Sequence, residues 1–372
     1  MPSHTRLVAL ENGNLHLAWR EDDWPLDQLC GFAERDNRRR GFLIVSRVLG
    51  RHVPARPSLI RQASNALSRL VPADLPGPVL FVGMAETAIT LGQTVHDGWC
   101  RDTGRGDALY IHSTRQKIGR EPLLRFSEPH SHASAHLLYA PEMIDGENPL
   151  ADVRSLVLID DEVTTGRTFV NLATQLAAVL PQLKQIEVAV LTDWSEGSYH
   201  ADMPAPVSSH ALLRGSLAWE GREPAPSVAL PPTCQLGILH QRRNLGRLGC
   251  KQLELDLSPY CTAFAQDTPQ SLHVIGTGEL HYPAFLLGEM LEDLGHDVMV
   301  QATTRSPAKP GGEICSALVL QDNYHSGVPT FLYNVDQTAH RRRIVCHETP
   351  ANMLDPALLR QSDAVPINFG AP

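Results

Sequence analysis

Apolar and polar positions alternate through residues 5–19 around an Asn12-Gly13-Asn14 turn, which predicts a β-hairpin. Residues 26–34 carry the spacing of a short helix, and residues 42–48 turn apolar. A helical period over 58–70 then ends in the proline-bearing stretch 72–78. From there the pattern becomes regular. Apolar runs at 79–82, 110–114, 156–159 and 186–192 are short enough for strands buried on both faces. Helical periods follow the first, to about Asp97, and the third, from 169 to about 180. Strands alternating with helices predict an α/β fold with a parallel, doubly wound sheet, its loops gathered at the strand carboxyl ends. That geometry brings Gly83, Arg115 and Asp160 toward one crevice. Residues 118–146 break the rhythm, and a long irregular insertion in such a domain is expected to cover a site.

Beyond residue 203 prolines crowd the chain. Pro204, Pro206, Pro224, Pro226, Pro231 and Pro232 mark a connector, with residues 211–219 as one element inside it. A first domain over 1–232, with the hairpin and a proline-rich exit, and a second, smaller α/β domain over 233–372 are expected. A length of 372 residues agrees with two cores. The run QRRNLGRLG at 241–249 reads as an exposed linker helix or an anion-contacting turn.

The second domain echoes the first. Residues 273–291 (HVIGTGELHYPAFLLGEML) repeat the strand, Gly-x-x-Glu turn and helix of 81–95 (FVGMAETAITLGQTV), setting Gly276 and Glu279 against Gly83 and Glu86. ATTRSP at 302–307 answers HSTRQK at 112–117, with Arg305 against Arg115. LVLQDNYHSGVPTF at 318–331 answers LVLIDDEVTTGRTF at 156–169, with Asp322 against Asp160 and Asn323 in place of Asp161. The offsets are 193, 190 and 162 residues, and the shortfall in the third predicts that the second copy has lost the irregular segment. Three matches in one order predict a degenerate duplicate. Short of an acid and of the Thr-Gly-x-Thr turn, it should retain phosphate or product binding at most.

Charge and cysteine usage exclude several classes. A net charge of −9 with pI near 6.0 supplies no basic field, so nucleic acid is not the expected partner. Cys30, Cys100, Cys234, Cys250, Cys261, Cys315 and Cys346 show no CxxC spacing, which argues against a zinc ribbon and a disulfide scaffold. Reduced thiols in a cytoplasmic protein are the expectation. No basic-then-apolar leader and no apolar run of membrane-spanning length are present, so no membrane partner is expected.

The candidate chemistry concentrates in 156–169. Asp160 and Asp161 are expected to close the strand 156–159, and Thr164, Thr165, Gly166, Arg167 and Thr168 form a hydroxyl-rich turn before the helix at Phe169. Amides and hydroxyls at the positive end of a helix suit a phosphate monoester. The carboxylates suit sugar hydroxyls and a hard cation such as magnesium. A phosphate with a diol beside it describes a ribose 5-phosphate.

This segment resembles the 5-phosphoribosyl 1-pyrophosphate (PRPP) motif of type I phosphoribosyltransferases, in which an apolar strand leads into two acids and a Thr-Gly-x-Thr loop. Arg167 stands where a small residue is common, and either points to solvent or adds a cation near the phosphate. The resemblance implies a fold of that kind with PRPP as donor and magnesium (Mg2+) as cofactor. It implies that Gly83, Met84, Ala85, Glu86 and Thr87 hold pyrophosphate, with Arg115 and Lys117 contacting it from the root of a lid. Asp160 and Asp161 would orient the ribose and meet the metal, and Thr164 to Thr168 would fix the 5-phosphate. A nitrogen of a base-like acceptor would attack the anomeric carbon while the irregular segment excludes water.

Two further runs carry a resemblance. NRRRGFLIVSRVLGRHVP at 37–54 resembles the N-terminal signature of an orotate-phosphoribosyltransferase-like family, with Arg39 or Arg40 as candidate phosphate contacts. Thr304-Arg305-Ser306-Pro307 resembles the tetrad of the TRSP domain, which follows such a domain in bacterial proteins of tellurite-resistance and stress-response gene clusters. A nucleotide-like product and a homodimer are implied. The tetrad either contacts an oxyanion or phosphate, or closes a strand end. Acceptor recognition is expected from the N-terminal hairpin. In the HSHASAH run, His130, His132 and His136 read as solvated loop residues, as a proton donor to a nitrogen, or as a metal site, the last without converging spacing or an accompanying cysteine. The alternative functions are a non-catalytic PRPP- or nucleotide-binding regulator and a scaffold of a biosynthetic cluster.

Overall fold

The computed structural model describes residues 4–20, 24–35, 40–127, 135–222, 236–240, 243–265, 268–360 and 364–370. Seven strands form the larger sheet, in the order His4–Leu10, Gly13–Arg20, Val207–Gly221, Gln185–Asp193, Ser155–Val163, Val79–Gly83, Ala108–His112. The last five run parallel, and the N-terminal hairpin adds antiparallel through Gly13–Arg20. Leu156, Val157, Leu158 and Ile159 are each 0% exposed at its centre. Burying such a side chain is worth about 1.5–3 kcal/mol. Val157→Asp would forfeit that and bury an unpaired charge.

Local expectations change where a pairing partner exists. The central strand does not end at Asp160; Gln185–Asp193 pairs with it as far as Val163, so the acids project from within the sheet. The helix expected at 26–34 is one turn, Leu26–Leu29, because Cys30–Glu34 finds strand partners in Phe42–Ser46 and Lys309–Gly312. The expected connector begins only after Val207–Gly221, a 15-residue strand. Pro224, Pro226, Pro231, Pro232 and Cys234 lie outside the described residues. Within the irregular segment, Leu124–Ser127 and Ala135–Leu138 form an antiparallel ribbon. Residues 128–134, with His130 and His132, lie outside the described residues.

A second sheet, all parallel, has the order Asp297–Ala302, Ser271–Gly276, Arg342–His347, Val365–Asn368. This repeats the order of Ala108–His112, Val79–Gly83, Ser155–Val163 and Gln185–Asp193 in the first. The counterpart of the central strand is therefore Arg342–His347, and the match drawn to 318–331 is wrong. Gly83 pairs with Ile159 as Gly276 pairs with Cys346. The amides of Met84 and Thr277 donate to the carbonyls of Ile159 and Cys346 at 3.1 and 3.0 Å. His347 and Glu348 thus stand where the first half has Asp160 and Asp161. The corrected third offset, from Ile159 to Cys346, is 187 residues.

Nor has the second copy lost its ribbon. Ala317–Leu320 and Thr330–Tyr333 pair antiparallel where the first half has Leu124–Ser127 and Ala135–Leu138. Thr304 exchanges backbone hydrogen bonds with Phe331 as Thr114 does with Leu137. Tyr333 Oη donates to the Ser306 carbonyl at 2.8 Å as Tyr139 Oη does to that of Gln116 at 3.1 Å. The earlier match arose because a ribbon strand and a core strand can share an apolar run of the same length.

The halves also exchange arms. Ala302 N donates to the Gly50 carbonyl and Val300 bridges Ala55, while His112 N donates to the Gly246 carbonyl and Tyr110 bridges Cys250. Leu49-Gly50-Arg51 and Leu245-Gly246-Arg247 are corresponding segments, each lying across the other half. Gly50 adopts φ +65°, and a Cβ there would come within 2.6 Å of the Val300 carbonyl oxygen. The cores follow the arms. Ala55 and Ile60 join the apolar cluster of the second sheet, and Leu239, Leu248 and Tyr324 join Ile118, Leu137 and Tyr139. Arg247, expected in an exposed linker, is 1% exposed.

Candidate functional site

A cavity opens at the carboxyl ends of the central strands. Ala85, Glu86, Thr87, Arg115 and residues 160–169 line it from the first half. Thr304, Arg305, Ser306 and Pro307 line it from the second. Asp160 and Asp161 are tied to the loop before the helix Ala88–Thr103: Thr87 Oγ1 lies 3.2 Å from Asp160 Oδ1 and 3.0 Å from Asp161 Oδ1. Asp161 N donates to Asp160 Oδ1 at 2.9 Å. Burial pushes the Asp161 carboxyl above the usual carboxylate range, against hydrogen bonds involving Asp160 and Thr87 and the charge of Arg40. Burial also raises Glu162, which Arg40 pulls down and Asp161 pushes further up.

Crowded carboxylates that resist ionisation are relieved by a cation. Among the described residues no group of three or more His, Cys, Asp or Glu side chains converges on a metal position. Asp160 and Asp161 are the residues that would hold a magnesium ion here, a hard cation that binds through one or two carboxylates.

The turn 164–168 is built around a glycine. Gly166 adopts φ +68°, and a Cβ there would overlap the buried Tyr199 ring, with its nearest atom at 2.2 Å. The helix Arg167–Ala177 starts at once, presenting unsatisfied amides next to the hydroxyls of Thr164, Thr165 and Thr168. Arg167 is exposed at the rim.

Not every expected residue reaches the cavity. Ala85, Glu86 and Thr87 line it, while Gly83 and Met84 lie beneath. A Cβ on Gly83 would come within 2.5 Å of the Tyr110 hydroxyl, so that position serves packing. Lys117 is exposed in the short strand Gln116–Lys117 beside Gly237–Ile238 and does not line the cavity. His136 is buried beneath the ribbon, stacked on Phe126, with Nδ1 3.1 Å from Ser113 Oγ. Ser113 Oγ accepts from Ala85 N at 3.0 Å, so the ribbon braces the Ala85–Thr87 loop.

The N-terminal hairpin stays at the sheet edge, away from the cavity. Arg35, Arg40, Leu43 and Ile44, in and beside the hairpin of Cys30–Glu34 and Phe42–Ser46, line it instead. Arg40 hydrogen-bonds Glu162. Arg38 and Arg39 lie outside the described residues. His52 also lines the cavity; burial and the charges of Arg51 and Arg35 push its imidazole down to about 3, so it is neutral. Sequence reasoning missed Arg35, His52 and Glu162. The repeated Leu-Gly-Arg at 49–51 and 245–247 was the available signal that this arm belongs to the duplicated unit.

The corresponding crevice in the second half is filled by its own side chains. Arg247 donates to Glu279 Oε2 at 3.0 and 3.2 Å and to the two oxygens of Glu348 at 2.7 and 2.8 Å. Tyr324 Oη donates to Glu348 Oε1 at 2.7 Å, and Asn323 Nδ2 donates to Thr349 Oγ1 at 3.0 Å. Glu348, the counterpart of Asp161, is thereby neutralised in place. Asp322, expected at the Asp160 position, lies in the ribbon connection and accepts from Ser326 N at 2.9 Å.

Three solved structures are similar to part of this chain. Adenine phosphoribosyltransferase from Rhodothermus marinus is 16% identical, with 43% of this chain and 81% of that one covered at a TM-score of 0.31. Orotate phosphoribosyltransferase from Aeropyrum pernix is 18% identical over 49% of this chain and 84% of that one, at 0.30. Adenine phosphoribosyltransferase from Trypanosoma brucei, in complex with AMP, pyrophosphate and ribose-5-phosphate, is 14% identical over 56% and 86%, at 0.33. No curated protein matches the chain. Among the described residues no helix is long and apolar enough to cross a membrane. A family model described as phosphoribosyl transferase matches residues 29–216, and one described as the TRSP domain C-terminal to it matches residues 244–361. By the first of these matches, which spans half its length, this chain belongs to the phosphoribosyl transferase family, enzymes of the glycosyltransferase kind, and it carries the TRSP companion domain.

Proposed function

We propose that the chain moves the ribose 5-phosphate group of PRPP onto a ring nitrogen of a heterocyclic base, releasing pyrophosphate and forming a nucleotide-like product. One observation supports this above the others: Thr87, from the loop assigned to pyrophosphate, lies within 3.2 Å of both carboxylates assigned to the ribose. Donor groups for the two ends of one substrate therefore share a wall of one cavity. Magnesium, when bound, would neutralise charge on the departing pyrophosphate.

The protein groups divide the remaining work. The amides and hydroxyls of 164–168 hold the 5-phosphate, and Asp160 and Asp161 accept from the ribose hydroxyls. Ala85, Glu86, Thr87 and Arg115 hold the leaving group, so that the anomeric carbon is fixed for attack. Its bond to the pyrophosphate oxygen breaks as the bond to nitrogen forms. The entering nitrogen loses a proton, and Glu162 is placed to take it: its carboxyl is raised by burial, and its Oε2 makes no hydrogen bond among the described residues. Arg35, Arg40, Leu43, Ile44 and His52 form the wall left for the acceptor. The test is magnesium-dependent pyrophosphate release from PRPP against a panel of bases. Donor binding without release by any base would replace the enzymatic reading with a regulatory one.

A further inference from the structure

The second half reaches the first half's cavity through a reciprocal pair of clasps. Glu86 Oε2 accepts from Thr304 Oγ1 at 3.1 Å and from Arg305 N at 3.0 Å. On the other side, Glu279 accepts from Thr114 Oγ1 at 2.5 Å and from Arg115 N at 2.6 Å. Each glutamate sits on the corresponding loop and each Thr-Arg pair at the corresponding strand end. Residue i meeting j′ while j meets i′ is the form of an isologous contact between two like subunits, here made within one chain.

The two sides have diverged. Around Glu279 the crevice is closed by Arg247 and Tyr324. Around Glu86 it is open, and Arg305, 4% exposed, lines it with Asp160 and Asp161. We propose that the second half is a spent copy retained as a built-in partner, and that its Arg305 guanidinium binds the pyrophosphate end of the donor in the first half's cavity. The proposal rests on the transfer reading above.

Position assigns the end of the substrate. Arg305 is anchored to Glu86, within the Ala85–Thr87 loop, and not to the 164–168 turn. Its Nε lies 3.8 Å from Glu86 Oε1, and one terminal nitrogen donates to Asp322 Oδ2 at 3.4 Å. A guanidinium carries five donors, and here two carboxylates orient it on the wall of the cavity that the anion would enter. Orientation in advance reduces the ordering cost of binding. Asp322, in the ribbon connection of the second copy, thus helps to hold this side chain.

Calorimetry on the full chain with magnesium separates the ends of the donor, using PRPP, inorganic pyrophosphate and ribose 5-phosphate as probes. Arg305→Gln should weaken pyrophosphate and PRPP by about a hundredfold, the scale of a charge-assisted bidentate contact, and leave ribose 5-phosphate unchanged. Arg305→Lys, keeping charge but losing the fork, should cost pyrophosphate about tenfold. Asn323→Ala, in the filled crevice, should change none of the three. Undiminished pyrophosphate binding by Arg305→Gln overturns the proposal, as does an equal loss for ribose 5-phosphate, which would indicate general distortion. If the glutamine variant does not fold, the lysine variant decides by the same ratio. A wild-type chain that takes up neither PRPP nor pyrophosphate sinks the transfer reading and this one together; wild-type uptake indifferent to Arg305 sinks this one alone.

Discussion

Replacing Arg247 tests the claim that the second crevice has become a structural lock. Its guanidinium and the Glu279 and Glu348 carboxylates are each 3% exposed or less, so Arg247→Met leaves two buried acids without their cation. Breaking a buried pair in this way costs about 3–5 kcal/mol. At roughly 2–4 °C per kcal/mol for a folding unit of this size, the melting temperature should fall by about 10 °C.

The pH dependence gives the sharper criterion. In the wild-type protein burial would raise the Glu279 carboxyl, but Arg247, His112 and the donors on Arg115 and Thr114 together bring it below the usual range. A depressed acid contributes stability above its unfolded pKa, about 4.3, and loses it as pH falls through the folded value. Without Arg247, burial prevails and the sign reverses. The ionised acid then costs stability at neutral pH, and protonation relieves that cost on acidification. Thermal melts should therefore show the gap between variant and wild type shrinking between pH 7 and about 5, since the other titrating groups are common to both proteins. A deficit under 2 °C, or one that does not shrink in acid, would refute the lock. Glu279 also holds Arg115 N, so the variant should bind PRPP more weakly as well.

Other outcomes follow from the open cavity. Asp160→Asn with Asp161→Asn should abolish pyrophosphate release while circular dichroism stays native; retained turnover would remove both from the site. Asp161→Asn alone should raise the melting temperature, because burial pushes that carboxyl up and its ionised form therefore costs stability at neutral pH. A lower melting temperature would contradict the burial argument. Gly166→Ala, forced into φ +68° against Tyr199, should lose about 1–3 kcal/mol in denaturant titration and bind ribose 5-phosphate poorly. Magnesium uptake should weaken on acidification at a higher pH than an ordinary carboxylate would dictate, because burial raises both Asp161 and Glu162 in the metal-free protein. Uptake that holds constant down to pH 4.5 would count against their role.

Some of this was legible in the chain and some was not, for identifiable reasons. The parallel core could be read because buried strands are continuous apolar runs, and 156–159 is followed by a turn chemistry with few other uses. Strand length was misjudged at Asp160 because pairing with Thr192 and Asp193 overrides the polarity of the acids. The match of 318–331 to 156–169 failed because residue type was compared without pairing. Arg342–His347 has two arginines where the first half has Ser155 and Leu156, yet it occupies the same place in the sheet. Arg305 could be singled out, but not its destination. Contact between a loop near residue 86 and a strand end near 305 depends on how the halves meet, and no local period encodes that.

The exchanged arms bear on how the polypeptide is made. While the first half emerges from the ribosome, Cys30–Glu34 has no Lys309–Gly312 to cover its free edge, and Ala55 and Ile60 have no Val300 beneath them. Synthesis must run past residue 312 before that edge is sheltered. A nascent chain arrested in the 223–235 stretch would therefore display an unpaired strand and an apolar arm, a substrate for chaperones or for aggregation. Conversely, the two halves expressed as separate polypeptides should find each other, because each carries the arm that completes its neighbour.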